Sequence, residues 1–167
     1  MGAMAASPDQ SAADSREGKY LTFSVGDESY GIGILKVKEI IGVMRITPIP
    51  QTPAHVRGVI NLRGKVIPII DFRVRFGMDE TDYTERTCII VVEIDSCSGR
   101  VHIGIIVDSV SEVINIKGYD IEDTPGFGNT ADTGYILGVA KTAGKVIILL
   151  DIDKSMCTDQ FLIASAA

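Results

Sequence analysis

Hydrophobic residues in this chain occur in runs of four to seven residues that are rich in Val and Ile and are separated by Gly, Asp and Ser. Short runs bounded by turn-forming residues are typical of β-strands rather than of amphipathic helices. The chain is therefore predicted to be mostly β. Ten strands are predicted, five in each half of the chain: Tyr20–Val25, Ser29–Ile34, Ile40–Ile46, Gly58–Leu62, Lys65–Ile70, Cys88–Ile94, Val101–Val107, Ser111–Ile116, Ile136–Thr142 and Lys145–Leu150.

Four dipeptides between paired runs contain glycine, which accepts a positive φ: Gly26-Asp27, Arg63-Gly64, Ser98-Gly99 and Ala143-Gly144. Tight turns between antiparallel strands need such residues. The sequence therefore predicts four β-hairpins.

Helical pieces are predicted to be few and short. Leu35–Glu39 is expected to form one turn, and Phe72–Phe76 another that Gly77 ends as a C-terminal cap. Thr47–Pro53 contains three prolines and is expected to be a stiff surface connection, because proline cannot donate a backbone hydrogen bond. Gly118–Gly134 is predicted to be the longest irregular loop.

The chain contains an internal repeat. Gly58–Asp71 resembles Gly138–Asp151 at an offset of eighty residues, and Val37–Ile40 resembles Val110–Val113 at an offset of seventy-three. Both copies keep glycines, branched apolar residues and the Asp that follows an apolar run, which turns and strand cores require. These shared residues are interpreted as scaffold, and the repeat as a duplication of one small unit.

The two copies of the repeat differ in the three residues that precede the second glycine of each pair. The first reads Asn61-Leu62-Arg63 between its paired glycines, and the second reads Lys141-Thr142-Ala143. The second unit does without an arginine at this position, so Arg63 is predicted to serve function rather than folding.

Five strands per unit without a long helix favour closure into a small barrel, which removes exposed strand edges. Two barrels are expected side by side, over about 19–86 and 87–154, and an exchange of strands between them is left open. Residues 1–18 are expected to form a disordered tail, and residues 155–167 a tail or a short helix.

The composition limits which partners and which compartment the protein can be expected to have. The apolar content of 46% is enough to build a core, while 16 basic and 22 acidic residues give a net charge of −6. That sign disfavours nucleic acid as a partner. Three cysteines without a C-x-x-C spacing favour a reducing compartment, with the cytoplasm as the default. No apolar run approaches the roughly eighteen to twenty residues that span a bilayer.

The candidate motifs for cofactor binding and catalysis are each incomplete. Gly31-Ile32-Gly33 lacks the third glycine and the βαβ unit of a dinucleotide site. Gly58 to Gly64-Lys65 is followed by a predicted strand, whereas a phosphate loop requires a helix. His55 and His102 have no motif around them and are interpreted as structural. The sequence predicts no cofactor, no metal site and no catalytic residues.

A wider set of motifs resembles the CheW-type chemotaxis coupling proteins. The segments that carry the resemblance are Tyr30–Ile41, Ile46–Pro50, Val56–Arg73, Ile105–Val113, Gly138-Val139 and Ile148–Asp153. It covers roughly 19–154, and it implies a CheW-like domain of two SH3-like five-stranded β-barrels with a few short helices.

The resemblance also implies a non-catalytic adaptor. Proteins of this family bind the regulatory domain of the CheA histidine kinase and the cytoplasmic tip of methyl-accepting chemoreceptors. We therefore expect a cytoplasmic protein that is recruited to receptor arrays at the inner membrane without inserting into the membrane.

The same resemblance points to site residues. The family places functionally important residues at the positions of Glu39 and Arg63. We hypothesise that these two form or exchange an ion pair at the receptor-facing surface, with Val37, Asn61 and Leu62 as neighbouring contacts. For the kinase, the candidates are Ile103, Ile105, Val139 and the loop around Phe127, although burial in a core is the commoner role of a strand isoleucine.

Three alternatives stay open at this point. The chain could be a CheW-like regulatory module of another two-component pathway, an enzyme with a site between the barrels, or a nucleic-acid-binding small barrel. The second needs clustered polar groups that the sequence does not show. The third conflicts with the acidic balance.

Overall fold

The computed structural model describes residues 16–78, 82–96, 99–123, 136–142 and 144–153. Eleven strands lie within these ranges: β1 Gly18–Val25, β2 Glu28–Gly33, β3 Val37–Gly42, β4 Val56–Leu62, β5 Lys65–Asp71, β6 Cys88–Ser96, β7 Gly99–Val107, β8 Ser109–Ile116, β9 Ile121–Glu122, β10 Ile136–Thr142 and β11 Lys145–Leu150. Two 3₁₀ turns, Ile34–Lys36 and Gly118–Asp120, and one short helix, α1 (Phe72–Arg75), connect them. The prediction of a mostly β fold is confirmed.

The strands form two sheets that each combine both halves of the chain. The first sheet has the order β8-β1-β2-β11-β10-β9, and the second has the order β3-β6-β7-β5-β4. The expected units 19–86 and 87–154 therefore do not correspond to the sheets, because β1 and β2 are exchanged for β6 and β7. This is the strand exchange that the sequence left open.

The two sheets share one topology, with β1, β2, β3, β4 and β5 equivalent to β6, β7, β8, β10 and β11. The register of the parallel pairs shows this equivalence most clearly. Gly31 of β2 lies opposite Leu149 of β11, and Gly104 of β7 lies opposite Ile69 of β5. Ile69 and Leu149 are themselves eighty residues apart. The sequence repeat thus corresponds to equivalent positions in the sheets.

A close backbone approach explains why one repeated glycine recurs. Gly58 has a φ of +136°, and a Cβ atom there would lie 2.0 Å from the carbonyl oxygen of Thr47. At Gly138, a Cβ atom would lie 2.8 Å from the carbonyl oxygen of Glu122. Both glycines sit at β-bulges against a crossing segment, so neither position tolerates a side chain without movement of the backbone.

All four predicted hairpins are present as antiparallel pairs: β1–β2, β4–β5, β6–β7 and β10–β11. Gly26, Gly64, Gly99 and Gly144 each have a positive φ, as the turn chemistry requires. Ser98 and Ala143 lie outside the described residues.

Three local predictions need correction. The expected helical turn Leu35–Glu39 is a 3₁₀ turn that ends at Lys36, and β3 begins at Val37 rather than at Ile40. Branched residues favour the extended conformation here, and pairing with β6 stabilises it. β3 also ends at Gly42 instead of Ile46.

The third correction concerns the long predicted loop. It contains a 3₁₀ turn and the short strand β9, which pairs with β10. Two residues give too little periodicity to be recognised in a sequence. Residues 124–134 of that loop lie outside the described ranges, as do the tails 1–15 and 154–167.

Helix α1 begins at a cap that the sequence encodes. Asp71, the last residue of β5, accepts a hydrogen bond from the backbone N–H of Arg73 at 2.9 Å. The helix ends at Arg75, and Gly77 follows with a φ of +88°. The predicted short helical turn is therefore confirmed, one residue shorter than expected.

The described core has three parts, and strand β6 shows how they are separated. Ile89 and Val91 point into a cluster enclosed by the second sheet, while Ile90, Val92 and Ile94 point into a cluster between the two sheets. A third cluster lies within the first sheet. Side chains alternate along a strand, so β6 is apolar throughout because both of its faces are buried.

Both edge strands of the first sheet, through Ile116 and Ile121, contribute to its inner cluster, so the sheet curls around its own core. The second sheet does the same, with Ile41 at one edge and Ile60 at the other. Within the described residues, no helix is long and apolar enough to cross a bilayer.

Candidate partner-binding surface

The turn between β4 and β5 holds Arg63 at its tip. Arg63 and Gly64 are the two turn residues, with φ angles of 52° and 86°. Two positive φ angles are characteristic of a type I′ hairpin turn. The Asn61 side chain supports the turn, because its Oδ1 accepts a hydrogen bond from the backbone N–H of Gly64 at 2.8 Å. A non-glycine residue in this conformation costs of the order of 1–2 kcal/mol.

Glu39 lies on β3, at the opposite edge of the same sheet, in a β-bulge. Val37 pairs with Val92 and Glu39 pairs with Val91, so Lys38 is the extra residue of β3. A bulge re-aims the side chains around it. Here it leaves Lys38 and Glu39 as consecutive charged residues at the sheet edge.

The structure joins the two positions, because the Arg63 guanidinium donates a hydrogen bond to the Glu39 carboxylate. This hydrogen bond and the charge of Glu39 raise the pKa of Arg63 above its already high ordinary value. The Arg63 side chain is 70% exposed. Exposed ion pairs contribute little to stability, so a partner can replace one member of this pair at a small cost in free energy.

A cavity of about 210 Å³ lies beside this ion pair. Two of its lining residues, Ile67 and Val91, belong to the inner core of the second sheet. The full lining is Lys38, Glu39, Leu62, Arg63, Lys65, Ile67, Val91 and His102. An apolar floor with a charged rim suits a partner that inserts an apolar side chain and pairs charges around it. We refer to this cavity and its rim as the Arg63 surface.

A chain of polar contacts continues from the rim across four strands, β5, β7, β6 and β3. Lys65 Nζ lies 2.8 Å from His102 Nδ1, His102 Nε2 lies 3.4 Å from Glu93 Oε2, and Lys38 Nζ lies 3.2 Å from Glu93 Oε1. The hydrogen bond from Lys38 is the largest cause that lowers the pKa of Glu93, and the charges of Lys38, His102 and Arg100 act in the same direction.

Sequence reasoning missed Lys65, His102 and Glu93 as members of this surface. They come from β5, β7 and β6, and no motif links residues that strand pairing alone brings together. His102, interpreted as structural, takes part in a polar network at the rim instead of lying in a core.

The five receptor-side candidates lie in one region with different roles. Glu39, Leu62 and Arg63 line the cavity. Asn61 is exposed but supports the turn, and Val37 packs against the core between the sheets. Of the five, Arg63 and Glu39 are therefore the best placed to contact a partner.

The kinase-side candidates do not form a surface. Ile103 and Ile105 are 2% and 0% exposed within the core between the sheets, so neither side chain is available while the sheets are packed together. Val139 is half-buried on β10 of the other sheet. Phe127 lies outside the described residues.

A buried ion network near α1 was also not anticipated. Arg73 is 2% exposed and binds the fully buried Asp71 through both of its carboxylate oxygens, at 3.0 and 2.9 Å. Asp108 lies 3.5 Å from the same guanidinium, and the Tyr83 ring lies 5.2 Å from it. These contacts connect α1 to the β7–β8 junction, so the network is structural.

Metal chemistry has no support in the part of the chain that the structure describes. There, no three His, Cys, Asp or Glu side chains are grouped so that they could hold a metal ion. Cys88 is a free cysteine.

Comparison with known proteins identifies the family. Residues 19–158 match the family model described as a CheW-like domain. The chain belongs to the CheW-like family. Its members are non-catalytic scaffolds, which removes the enzyme alternative.

Individual relatives agree with this assignment. The chemotaxis protein CheW of Klebsiella aerogenes is 39% identical over 142 residues, which is 85% of this chain and 83% of that protein. The chemotaxis protein CheW of Rhizobium meliloti is 40% identical over 133 residues, with coverage of 80% and 83%. The crystal structure of the scaffolding protein TtCheW from Thermoanaerobacter tengcongensis matches with a TM-score of 0.71 and 41% identity, over 80% of this chain and 88% of that one.

Proposed function

We propose that this CheW-like protein is the adaptor that couples methyl-accepting chemoreceptors to the CheA histidine kinase. The observation that carries the proposal is the exposed Arg63–Glu39 ion pair beside an apolar-floored cavity, on a scaffold whose second copy lacks the arginine. The chemotaxis names of the relatives support this pathway, and the exposed ion pair supports a partner contact at this surface.

The receptor contact is proposed at the Arg63 surface. A planar guanidinium can bind a carboxylate through two parallel hydrogen bonds, so Arg63 can exchange Glu39 for a carboxylate of the receptor. The type I′ turn fixes the backbone that carries Arg63, which reduces the entropy lost on binding. Leu62 adds apolar contact at the cavity wall.

The regulatory domain of CheA is proposed as the second partner. Of the described kinase-side candidates, Val139 alone is more than marginally exposed, and it lies in the first sheet beside the Lys141–Glu122 ion pair. A kinase contact there leaves the Arg63 surface of the second sheet free. An adaptor that binds two partners at once needs two such separate surfaces.

The proposed location is the cytoplasm, at receptor arrays beneath the inner membrane. A reducing compartment is consistent with Cys88 as a free cysteine. Attachment to the membrane would then occur through the receptor.

Isothermal titration with a chemoreceptor cytoplasmic fragment and, separately, with the CheA regulatory domain tests the proposal. Wild type should bind both, and Arg63→Glu should weaken receptor binding tenfold or more, because losing one partner of an interface ion pair typically costs about 2–5 kcal/mol. Kinase binding by the variant should stay within about twofold of wild type, since the proposed kinase contact lies on the other sheet.

Arg100→Glu is the matched control. Arg100 is also an exposed arginine of the second sheet in an ion pair, with Asp95 at 3.3 Å, but it does not line the 210 Å³ cavity. The control should bind the receptor within about threefold of wild type, because Arg100 acts on the Arg63 surface only through the charge of Glu93. Wild-type binding to neither partner would overturn the adaptor function, and binding to the kinase alone would favour a regulatory module of another two-component pathway.

A further inference from the structure

His102 occupies a position where three strands of the second sheet bring charges together. It lies directly across from Glu93 in the β6–β7 pair, and Lys65 reaches it from the start of β5. Its side chain is half-buried and lines the same cavity as Glu39 and Arg63. Any change in the charge of His102 therefore changes the electrostatic potential at the Arg63 surface.

The neighbours of His102 determine which ring nitrogen carries the proton. A lysine ammonium can only donate hydrogen bonds, so Nδ1 must accept from Lys65 at 2.8 Å. The proton of the neutral ring then sits on Nε2, which faces Glu93 Oε2 at 3.4 Å. This tautomer satisfies Lys65 and Glu93 simultaneously.

We propose that His102 is a pH-sensitive positioning residue of the Arg63 surface, which holds Lys65 when neutral and releases it when protonated. Protonation puts a hydrogen on Nδ1, so this atom can no longer accept a hydrogen bond from Lys65. Two cations then face each other at the former contact distance. The effect on partner binding rests on the adaptor function proposed above, whereas the local switch does not.

The other charged groups around the ring determine the direction of movement. Glu93 faces the ring from β6, Arg100 contributes a positive charge from β7, and Lys38 from β3 already occupies the second oxygen of Glu93. Glu93 retains the protonated ring through Nε2. Lys65 lies exposed at the end of a flexible stem, so it is the group that leaves.

Release of Lys65 alters the rim of the cavity. The lining gains one positive charge on His102, and Lys65 becomes able to compete with Arg63 for Glu39, because both residues line the cavity with it. A partner that presents a carboxylate to Arg63 should therefore bind more tightly as the pH falls. Because the proposed effect acts through His102, this dependence should vanish when His102 is replaced.

Nitrogen-detected NMR of the full-length protein tests the local switch without any partner. The neutral ring of His102 should show the tautomer protonated at Nε2, and acidification should convert it to the doubly protonated ring. Lys65→Met should abolish the preference for this tautomer. The chain has two histidines, so His102→Gln identifies the signals, and Gln preserves one acceptor and one donor without titrating. A ring protonated at Nδ1 at high pH would overturn the proposal.

Titration with the chemoreceptor fragment tests the consequence. Between about pH 8 and pH 6, the wild-type affinity should rise about threefold, as one added charge at a partly exposed site allows. His102→Gln should show no such rise, and the control His55→Gln should behave like wild type. A rise of equal size in His102→Gln would overturn the coupling of His102 to the surface. If the NMR result holds and the receptor fragment binds at neither pH, the switch stands and the proposed adaptor function fails.

Discussion

The Arg63 guanidinium, at the tip of the β4–β5 turn, is hydrogen-bonded to the carboxylate of Glu39 in the bulge of β3. The turn that carries Arg63 joins one edge strand, β4, to β5, and Glu39 lies on the other edge strand, β3, of a sheet that curls around its own core. The curvature of the sheet therefore brings the two side chains together. Its exposure makes it better suited to recognition than to stabilisation.

Measurements of unfolding on charge-reversal variants test whether the Arg63–Glu39 pair stabilises the fold. Glu39→Arg, Arg63→Glu and the double swap should each change the free energy of unfolding by less than about 1 kcal/mol, because exposed ion pairs are weak. Urea denaturation of the four proteins gives the coupling energy as a double-mutant cycle. A coupling above about 2 kcal/mol would show instead that the pair is part of the scaffold.

Asn61 is predicted to contribute to the turn rather than mainly to a partner. Asn61→Ala removes the acceptor for the Gly64 N–H and should lower the free energy of unfolding by about 0.5–1.5 kcal/mol. Asn61→Asp keeps an acceptor and should retain most of the stability.

Lys141 supplies the control for this variant, because it occupies the equivalent position in β10 and forms an exposed ion pair with Glu122 at 2.7 Å. Lys141→Ala should cost less than about 0.5 kcal/mol. Chemical denaturation measures all three variants. Equal losses at Asn61 and Lys141 would contradict a turn-specific role.

The buried Arg73–Asp71 pair should be strongly coupled. Arg73→Met leaves the Asp71 carboxylate buried without its guanidinium, and such removal of one partner typically costs about 3–5 kcal/mol. Asp71→Asn should also be costly, since it weakens both this pair and the cap of α1. Thermal and chemical unfolding provide the measurement. The double variant should lose less than the sum of the single losses, and strict additivity would contradict the coupling.

Glu93 should make folding stability depend on acidity. Its pKa is lowered from the ordinary value of 4.5 in the folded protein, first by the hydrogen bond from Lys38, so the unfolded state binds the proton more readily. The stabilisation is present above 4.5 and is lost as the pH falls through the lower folded value.

Denaturation of wild type and Glu93→Gln across this acidic range should show a stability difference near neutrality that shrinks as Glu93 becomes protonated. Glu28→Gln, which replaces an exposed carboxylate in the first sheet, controls for the general effect of losing an acidic side chain. A difference between wild type and Glu93→Gln that does not change with pH would contradict the lowered pKa.

The local structure could be predicted from sequence because its causes are local. Alternating or continuous apolar runs predicted the strands, and glycine at four turns predicted the hairpins, since a positive φ is needed wherever two strands reverse tightly. Two strand predictions failed because their causes are not local. β9 is too short for periodicity, and the beginning of β3 looks helical until its pairing with β6 is known.

The candidate site was predictable only in part. Arg63 could be singled out because the second copy lacks it, and the family resemblance added Glu39. Lys65, Glu93 and His102 carried no signal, because their proximity results from the pairing of β5, β6 and β7. Ile103 and Ile105 were poor surface candidates for a related reason, since both faces of β7 are buried once the two sheets pack.

The sequence by itself determined the strands, their turns, the duplication and the position at which the two copies diverge. The tertiary structure decided which copy supplies which strands to each sheet. The repeat offsets do not depend on whether each copy folds on its own or exchanges β1 and β2 for β6 and β7. An offset identifies equivalent positions along the chain, and it contains no information on which strands pair in space. Pairing depends on hydrogen bonds and buried surface between distant segments, and the parallel pairs β2–β11 and β5–β7 form only when both copies fold together.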